Sequence, residues 1–191
     1  MKRNRIKQGW YRYPAILGLS LLGAVATVQA KGKVPFQLEQ HGVKKVSAGQ
    51  LTSDVEEDLF HLVNEQRAKK KLSSLSEEND LDEIARSHSK DMLKRNYMSH
   101  FSPEGKSVVD RYSKYDPKIR RSLGENIHTI ESSNGLRDPR AIAEVMVKDW
   151  MNSSGHRKNI LAKKYEFEGL GCASDGTRIF CTQVFASAKG R

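Results

Sequence analysis

Two histidines and one glutamate are the residues of this sequence best suited to chemistry. Each sits among turn-forming residues: His100 in Met98-Ser99-His100-Phe101-Ser102-Pro103-Glu104-Gly105, Glu125 in Gly124-Glu125-Asn126-Ile127, and His156 in Ser153-Ser154-Gly155-His156-Arg157-Lys158-Asn159-Ile160-Leu161. Neutral imidazole can take up a proton near pH 7, so either histidine could act as a general base. If the three converge, His100, His156 and Glu125 could hold a divalent metal such as zinc with one position left open. Alternatively, Glu125 could stand behind one imidazole and fix its orientation. A hydrogen-bonded network that joins loops and takes no ligand would use the same residues. The gaps from 100 to 125 and from 125 to 156 are much longer than a local His-Glu-x-x-His motif, so only the fold can bring the three together. Ser99, Ser153 and Ser154 neighbour the histidines, but no oxyanion-hole motif accompanies them.

The elements that must position these residues follow from periodicity. Ser53 or Asp54 can cap a first helix near Thr52, with Glu56 and Glu57 in its first turn and Leu59, Leu62, Val63 and Ala68 on one face. A second helix near Asp80 puts Leu81, Ile84, Ala85, His88 and Met92 in one stripe, where His88 reads as a packed structural residue. Residues 106–115 suit a short helix. Asp138-Pro139 is a cap followed by the residue best tolerated in the first turn, opening a helix that Gly155 is expected to end. The tail reads as two antiparallel strands, 167–173 and 178–186, around Asp175-Gly176. Cys172 and Cys181 are expected to form a disulfide in an oxidising compartment, which favours Gly176-Thr177 as the two-residue turn because Cys172 then lies opposite Cys181. Gly124, Asn126, Gly155 and Asn159 read as turn and loop residues. Helices first and strands last predict an α+β domain with helices on an antiparallel sheet.

The N-terminus reads as a cleavable signal peptide over residues 1–30. Lys2, Arg3, Arg5, Lys7 and Arg12 precede an apolar run from Ala15 to Ala26 that is shorter than the roughly 20 residues of a membrane span, and Val28 and Ala30 suit a peptidase pocket. Cleavage after Ala30 places the chain in a secreted or extracytoplasmic, oxidising compartment, the periplasm or envelope if the source is bacterial, with no transmembrane span remaining. Of 33 basic and 23 acidic residues, five basic and no acidic ones lie in the signal, which lowers the excess from +10 to +5 and argues against nucleic acid as a partner. An anionic envelope could still attract Lys69-Lys70-Lys71 and Arg120-Arg121. Residues 31–52 read as a linker or arm, 53–187 as one domain and 188–191 as a tail; a monomer is expected.

From Leu62-Val63-Asn64-Glu65-Gln66-Arg67, through His100, Gly124-Glu125-Asn126 and Trp150 to Leu161, to Thr182-Gln183-Val184-Phe185, the chain resembles the CAP superfamily of cysteine-rich secretory, antigen 5 and pathogenesis-related 1 proteins, and most of all its compact bacterial branch. The resemblance implies a three-layer α-β-α sandwich with a cleft into which two histidines and two acids point. His100, Glu125 and His156 match three of these positions. The fourth, three residues after Trp150, is Ser153, and Glu144 is nearly two turns away on the other side of Trp150. Asn152-Ser153-Ser154 is also a glycosylation sequon, although its place in the motif favours a structural role. With no recognisable nucleophile and base, the first reading is a non-catalytic module whose cleft binds a small ligand, peptide or envelope component. A metal-dependent or His-based hydrolase is the alternative, and lipid or sterol binding is the third reading.

Overall fold

In the computed structural model, which describes residues 47–190, the Ser47 side chain accepts the Gln50 N–H at 3.1 Å and opens helix α1 (Ala48–Lys69). The signal-peptide reading and most of the predicted arm lie outside the described residues. The helix starts before the expected Thr52, so positions 48–52 of the arm are helical. Ser47 supplies the cap, and Leu51 and Val55 add buried side chains that outweigh the flexibility of Gly49. The Asn64-Glu65-Gln66-Arg67 motif acts structurally. Asn64 accepts the Leu75 N–H at 2.7 Å and donates to the Leu75 carbonyl at 3.3 Å, holding the chain after α1 as a neighbouring strand would.

Strand β1 (Ser76–Glu77) leads into α2 (Asn79–Arg95), and α3 (Val108–Tyr112) follows. A capping box sets α3: Ser107 Oγ accepts the Asp110 N–H while the Asp110 carboxylate accepts the Ser107 N–H. Strand β2 (Leu123–Glu131) precedes α4 (Pro139–Asn152), whose Asp138 cap accepts the Ala141 N–H at 3.0 Å as the sequence predicts. Helix α5 (Ser154–Ile160) and strands β3 (Phe167–Ser174) and β4 (Arg178–Ala186) complete the fold.

The sheet runs β1-β3-β4-β2. Strands β3, β4 and β2 are antiparallel neighbours, and the short β1 pairs parallel to β3, so the sheet is mixed at one edge. Cys172 lies opposite Cys181 in the register that a Gly176-Thr177 turn sets, and the two form a disulfide; Gly176 takes φ +93°, which glycine tolerates without strain. Further expectations change. Gly124 and Asn126 belong to β2, a strand whose polar residues disguised it. Gly155 does not end α4: the break comes at Ser153, which is extended (φ −83°, ψ 124°), and Gly155 lies in the first turn of α5.

Leu81, Ile84, Ala85 and Tyr112 on α2 and α3 pack with Val184 and Ala186 on one face of the sheet. On the other, Leu59 and Val63 of α1 and Met146 and Trp150 of α4 meet Leu170, Cys172, Ile179 and Phe185. The result is the expected three-layer α-β-α sandwich. Helix α2 lies against β3 because Gly169 and Gly171 present no side chain; a Cβ there would run into the α2 backbone at Leu81–Asp82 and Ala85–Arg86. No helix among the described residues is long and apolar enough to cross a membrane.

Candidate functional site

Strand β2 is the outer strand of the sheet, and its free edge organises the site. Its alternating side chains part to the two layers: Ile127 packs with Met92 and Phe180 on the α2 side, while His128 stands beside Trp150 with ring centroids 6.5 Å apart. An exposed edge carries unpaired carbonyls, and here side chains cover them. Asn159 Nδ2 donates to the Glu125 carbonyl at 3.1 Å, Trp150 Nε1 to the Ile127 carbonyl at 3.2 Å, and His128 Nδ1 contacts the Thr129 carbonyl at 2.9 Å. The tryptophan and Asn159 of the sequence motif thus dock α4 and α5 onto the strand that carries Glu125.

Glu125, with 3% of its side chain exposed, is held at both oxygens. His100 Nδ1 lies 2.8 Å from Oε1, and Arg111 Nη2 donates to Oε2. Arg111 also donates to the Lys106 carbonyl at 3.1 Å and the His100 carbonyl at 3.4 Å, so one guanidinium ties the His100 loop to the buried carboxylate. The capping box of α3 sets the direction from which Arg111 arrives. His88 plays the structural part expected of it: its Nε2 meets the Ser99 carbonyl at 2.9 Å, fixing the residue before His100.

His156 approaches from α5. Its backbone carbonyl accepts from Asn126 Nδ2 at 3.3 Å, and its imidazole pKa is lowered by burial and then by the neighbouring His100 and His128 rings. The structure therefore joins His100 directly to Glu125 and brings His156 within electrostatic reach, without a hydrogen bond from the His156 ring to either. His128, which pairs through Nε2 with Asp149 at 3.0 Å, makes a third imidazole that was hidden in the sequence by the unrecognised strand. Arg111 was missed too; the Ser107-x-x-Asp110 spacing of the capping box was the available signal.

Zinc was one expectation for these residues, and the donor set does not fit it. Both Glu125 oxygens are already engaged, the Arg111 cation sits against one of them, and Ser153 stands where the resemblance led to the expectation of a second acid. Among the described residues no three His, Cys, Asp or Glu side chains converge as metal binding requires. Glu144 does not replace the missing acid; it pairs with Arg140 at 3.0 Å. What the arrangement supplies is an imidazole oriented by a buried carboxylate. No serine, threonine or cysteine side chain bonds to His100 or His156 among the described residues, and Ser99 Oγ instead accepts the Phe101 N–H at 3.1 Å.

Comparison with known proteins agrees with this architecture. The uncharacterized protein YkwD of Bacillus subtilis (strain 168) is 33% identical over 154 residues, covering 81% of this chain and 56% of that protein. The uncharacterized membrane protein YlbC of the same organism is 34% identical over 116 residues, covering 61% and 31%. The chain thus spans about half of the one and a third of the other. Among solved structures, an extracellular SCP-domain protein from Bacillus anthracis str. Ames aligns at TM-score 0.59 and 30% identity over 73% of this chain and 42% of that one. An outer surface protein of Borrelia burgdorferi, at TM-score 0.58 and 20% identity over 71% and 96%, shares the fold. The model of the CAP, or cysteine-rich secretory protein, family matches residues 60–185, from the middle of α1 to the end of β4, and this chain belongs to that family.

Proposed function

We propose that this protein is an extracytoplasmic, non-catalytic binding module that takes a small ligand, peptide or envelope component in the cleft at the free edge of β2. The observation that carries the reading is the Arg111–Glu125–His100 chain: a buried, charge-compensated carboxylate holds Nδ1 of an imidazole that is 48% exposed, leaving Nε2 to meet a ligand. The absence of a hydroxyl or thiol on either histidine among the described residues favours binding over nucleophilic hydrolysis. Export is supported by the basic-apolar-small order of residues 1–30 and by the Cys172–Cys181 disulfide.

The test is a nuclear magnetic resonance titration of the exported protein with peptide and envelope-glycan fragments. Shifts confined to residues 97–107, 124–128 and 153–159, and lost in His100→Ala, are expected. A folded protein that turns over ester or peptide reporters, with turnover lost in His100→Ala, would establish hydrolysis in its place, since a carboxylate-oriented imidazole is also how a general base is held. Export is checked separately by sequencing the N-terminus of protein recovered outside the cytoplasm. Lys31 is expected, and an intact Met1 on cytoplasmic protein would overturn it.

A further inference from the structure

Helix α5 carries a second group of side chains, apart from His156. Ser154, Arg157, Lys158 and Leu161 recur at helical spacing, and with Ala162, Lys163 and Lys164 they line one open pocket. Four of the seven lining residues are cationic and none is acidic; the nearest acid along the chain, Glu166, lies outside the lining. None of the four takes part in an ion pair among the described residues, although such pairs are common elsewhere on this surface, as at Arg95–Glu104, Arg140–Asp58 and Arg178–Asp175. Arg157 Nη1 donates to the Met151 carbonyl at 2.6 Å, and Lys164 Nζ lies 4.9 Å from the Tyr165 ring centroid, so these two cations are held in place without being neutralised.

The backbone beneath the lysines is fixed from inside. Arg67, 2% exposed, donates to the carbonyls of Ile160 at 2.7 Å, Ala162 at 3.1 Å and Tyr165 at 3.4 Å, and to Ser73 at 2.9 Å. One buried guanidinium thus pins the loop from which Lys163 and Lys164 project. It also ties that loop to the end of α1, where Lys69, Lys70 and Lys71 are exposed. This concentration is local. Nine basic residues and one acidic residue precede Ser47, leaving 24 against 22 for the remainder, which is close to neutral.

We infer that this pocket binds a linear, phosphate-bearing polyanion of the polyphosphate kind rather than a nucleic acid, for which the near-neutral remainder of the chain lacks a broad basic footprint. Several unpaired cations on a preset backbone match charges repeated along a polymer, and the counterions released on binding drive the association. A bilayer surface fits less well, because among the described residues the exposed large apolar side chains Met98, Phe101, Val109, Tyr115 and Val145 all lie outside this pocket and give it no wedge for insertion. The inference is independent of what the β2 cleft binds.

Long-chain inorganic polyphosphate, titrated into the full exported protein at low salt and followed by calorimetry, tests it. The triple variant Lys158→Gln/Lys163→Gln/Lys164→Gln is expected to bind about tenfold or more weakly and with a shallower salt dependence. The control triple Lys90→Gln/Lys94→Gln/Lys148→Gln removes the same charge from exposed positions elsewhere and is expected to bind as the wild type does. Equal weakening in both triples, no polyphosphate binding by the wild type, or tighter binding to phosphatidylglycerol vesicles than to polyphosphate would each overturn the assignment. Far-ultraviolet circular dichroism and melting of both triples confirm that they are folded.

Discussion

Glu125 and Glu168 are both buried carboxylates on the central sheet, and their surroundings differ in kind. Glu125 faces the layer of α2 and α3 at the open edge, where one oxygen meets His100 and the other meets the Arg111 guanidinium. Glu168, fully buried on β3, faces the other layer; its Oε2 accepts from Gln183 Nε2 at 2.5 Å and its Oε1 has no hydrogen-bond partner. Burial pushes the Glu168 pKa up to about 8, an effect that the Gln183 hydrogen bond and the Arg67 charge only partly oppose. A carboxylate given a cation and an imidazole can serve a candidate site, whereas one given an amide stays as a proton-holding element of the interior. The two regions are nevertheless connected. Gln183 Oε1 accepts from Asn126 Nδ2 at 3.2 Å, and Asn126 Oδ1 accepts from Asn159 Nδ2 at 3.0 Å, which leads back to the Glu125 carbonyl.

Breaking the Glu125 side should have the largest effect. Arg111→Met leaves a buried carboxylate without its cation and is expected to destabilise by about 3–5 kcal/mol in urea unfolding at pH 7, with Arg111→Met/Glu125→Gln recovering most of the loss. Should the single variant prove as stable as wild type, the two carboxylates would not differ as described.

Glu168→Gln should act in the opposite direction. Between about pH 4.5 and 8 the unfolded chain has released the Glu168 proton and the native protein has kept it, so wild-type stability falls as pH rises across that window. Asp82, raised to about 6 mainly by burial, adds to the same slope over its lower part. Glu168→Gln is therefore expected to gain on the order of 2 kcal/mol at pH 7 to 8 and to flatten the slope, as thermal melts across pH would show. His156 and His88 oppose this trend. Both have lowered pKa values, so the unfolded chain takes up protons first and stability falls as pH drops through about 6.5. That acid limb should remain in Glu168→Gln and shrink in His156→Gln.

The disulfide lies in the same layer as Glu168 and should contribute less than the ionic interior. Closing so short a loop is worth about 2 kcal/mol, so Cys172→Ala/Cys181→Ala should lower stability by that amount while the hairpin keeps its register through its turn. Smallest of all on stability is His100→Ala, within about 1 kcal/mol because the ring is half exposed, yet it should abolish ligand-induced shifts at the β2 edge.

Much of the scaffold was legible because it rests on local rules. The stripe from Leu81 to Met92 predicted α2, Asp138-Pro139 located the start of α4, and the pairing expected of Cys172 and Cys181 favoured the hairpin register that is found. Strand β2 escaped because the residues of its middle, Glu125, Asn126 and His128, are polar and yet buried, and period-two hydrophobicity cannot register a strand whose interior positions are satisfied by partners from α3, α4 and α5. Gly155 misled for a related reason: the chain turns at Ser153, and Arg157, His156 and Asn159 find their partners only when a new helix begins there.

Of the candidate site, residue type and turn context singled out His100, Glu125 and His156 as candidates, and the resemblance to the family showed that the acid it implies after Trp150 is a serine here. Three things depended on the assembled fold: that Arg111 neutralises Glu125, that the donors do not close around a metal, and that Glu168 is sealed with its proton. Each is decided by which groups approach across long stretches of chain and by how much water is left between them, and neither quantity is encoded in any local run of residues.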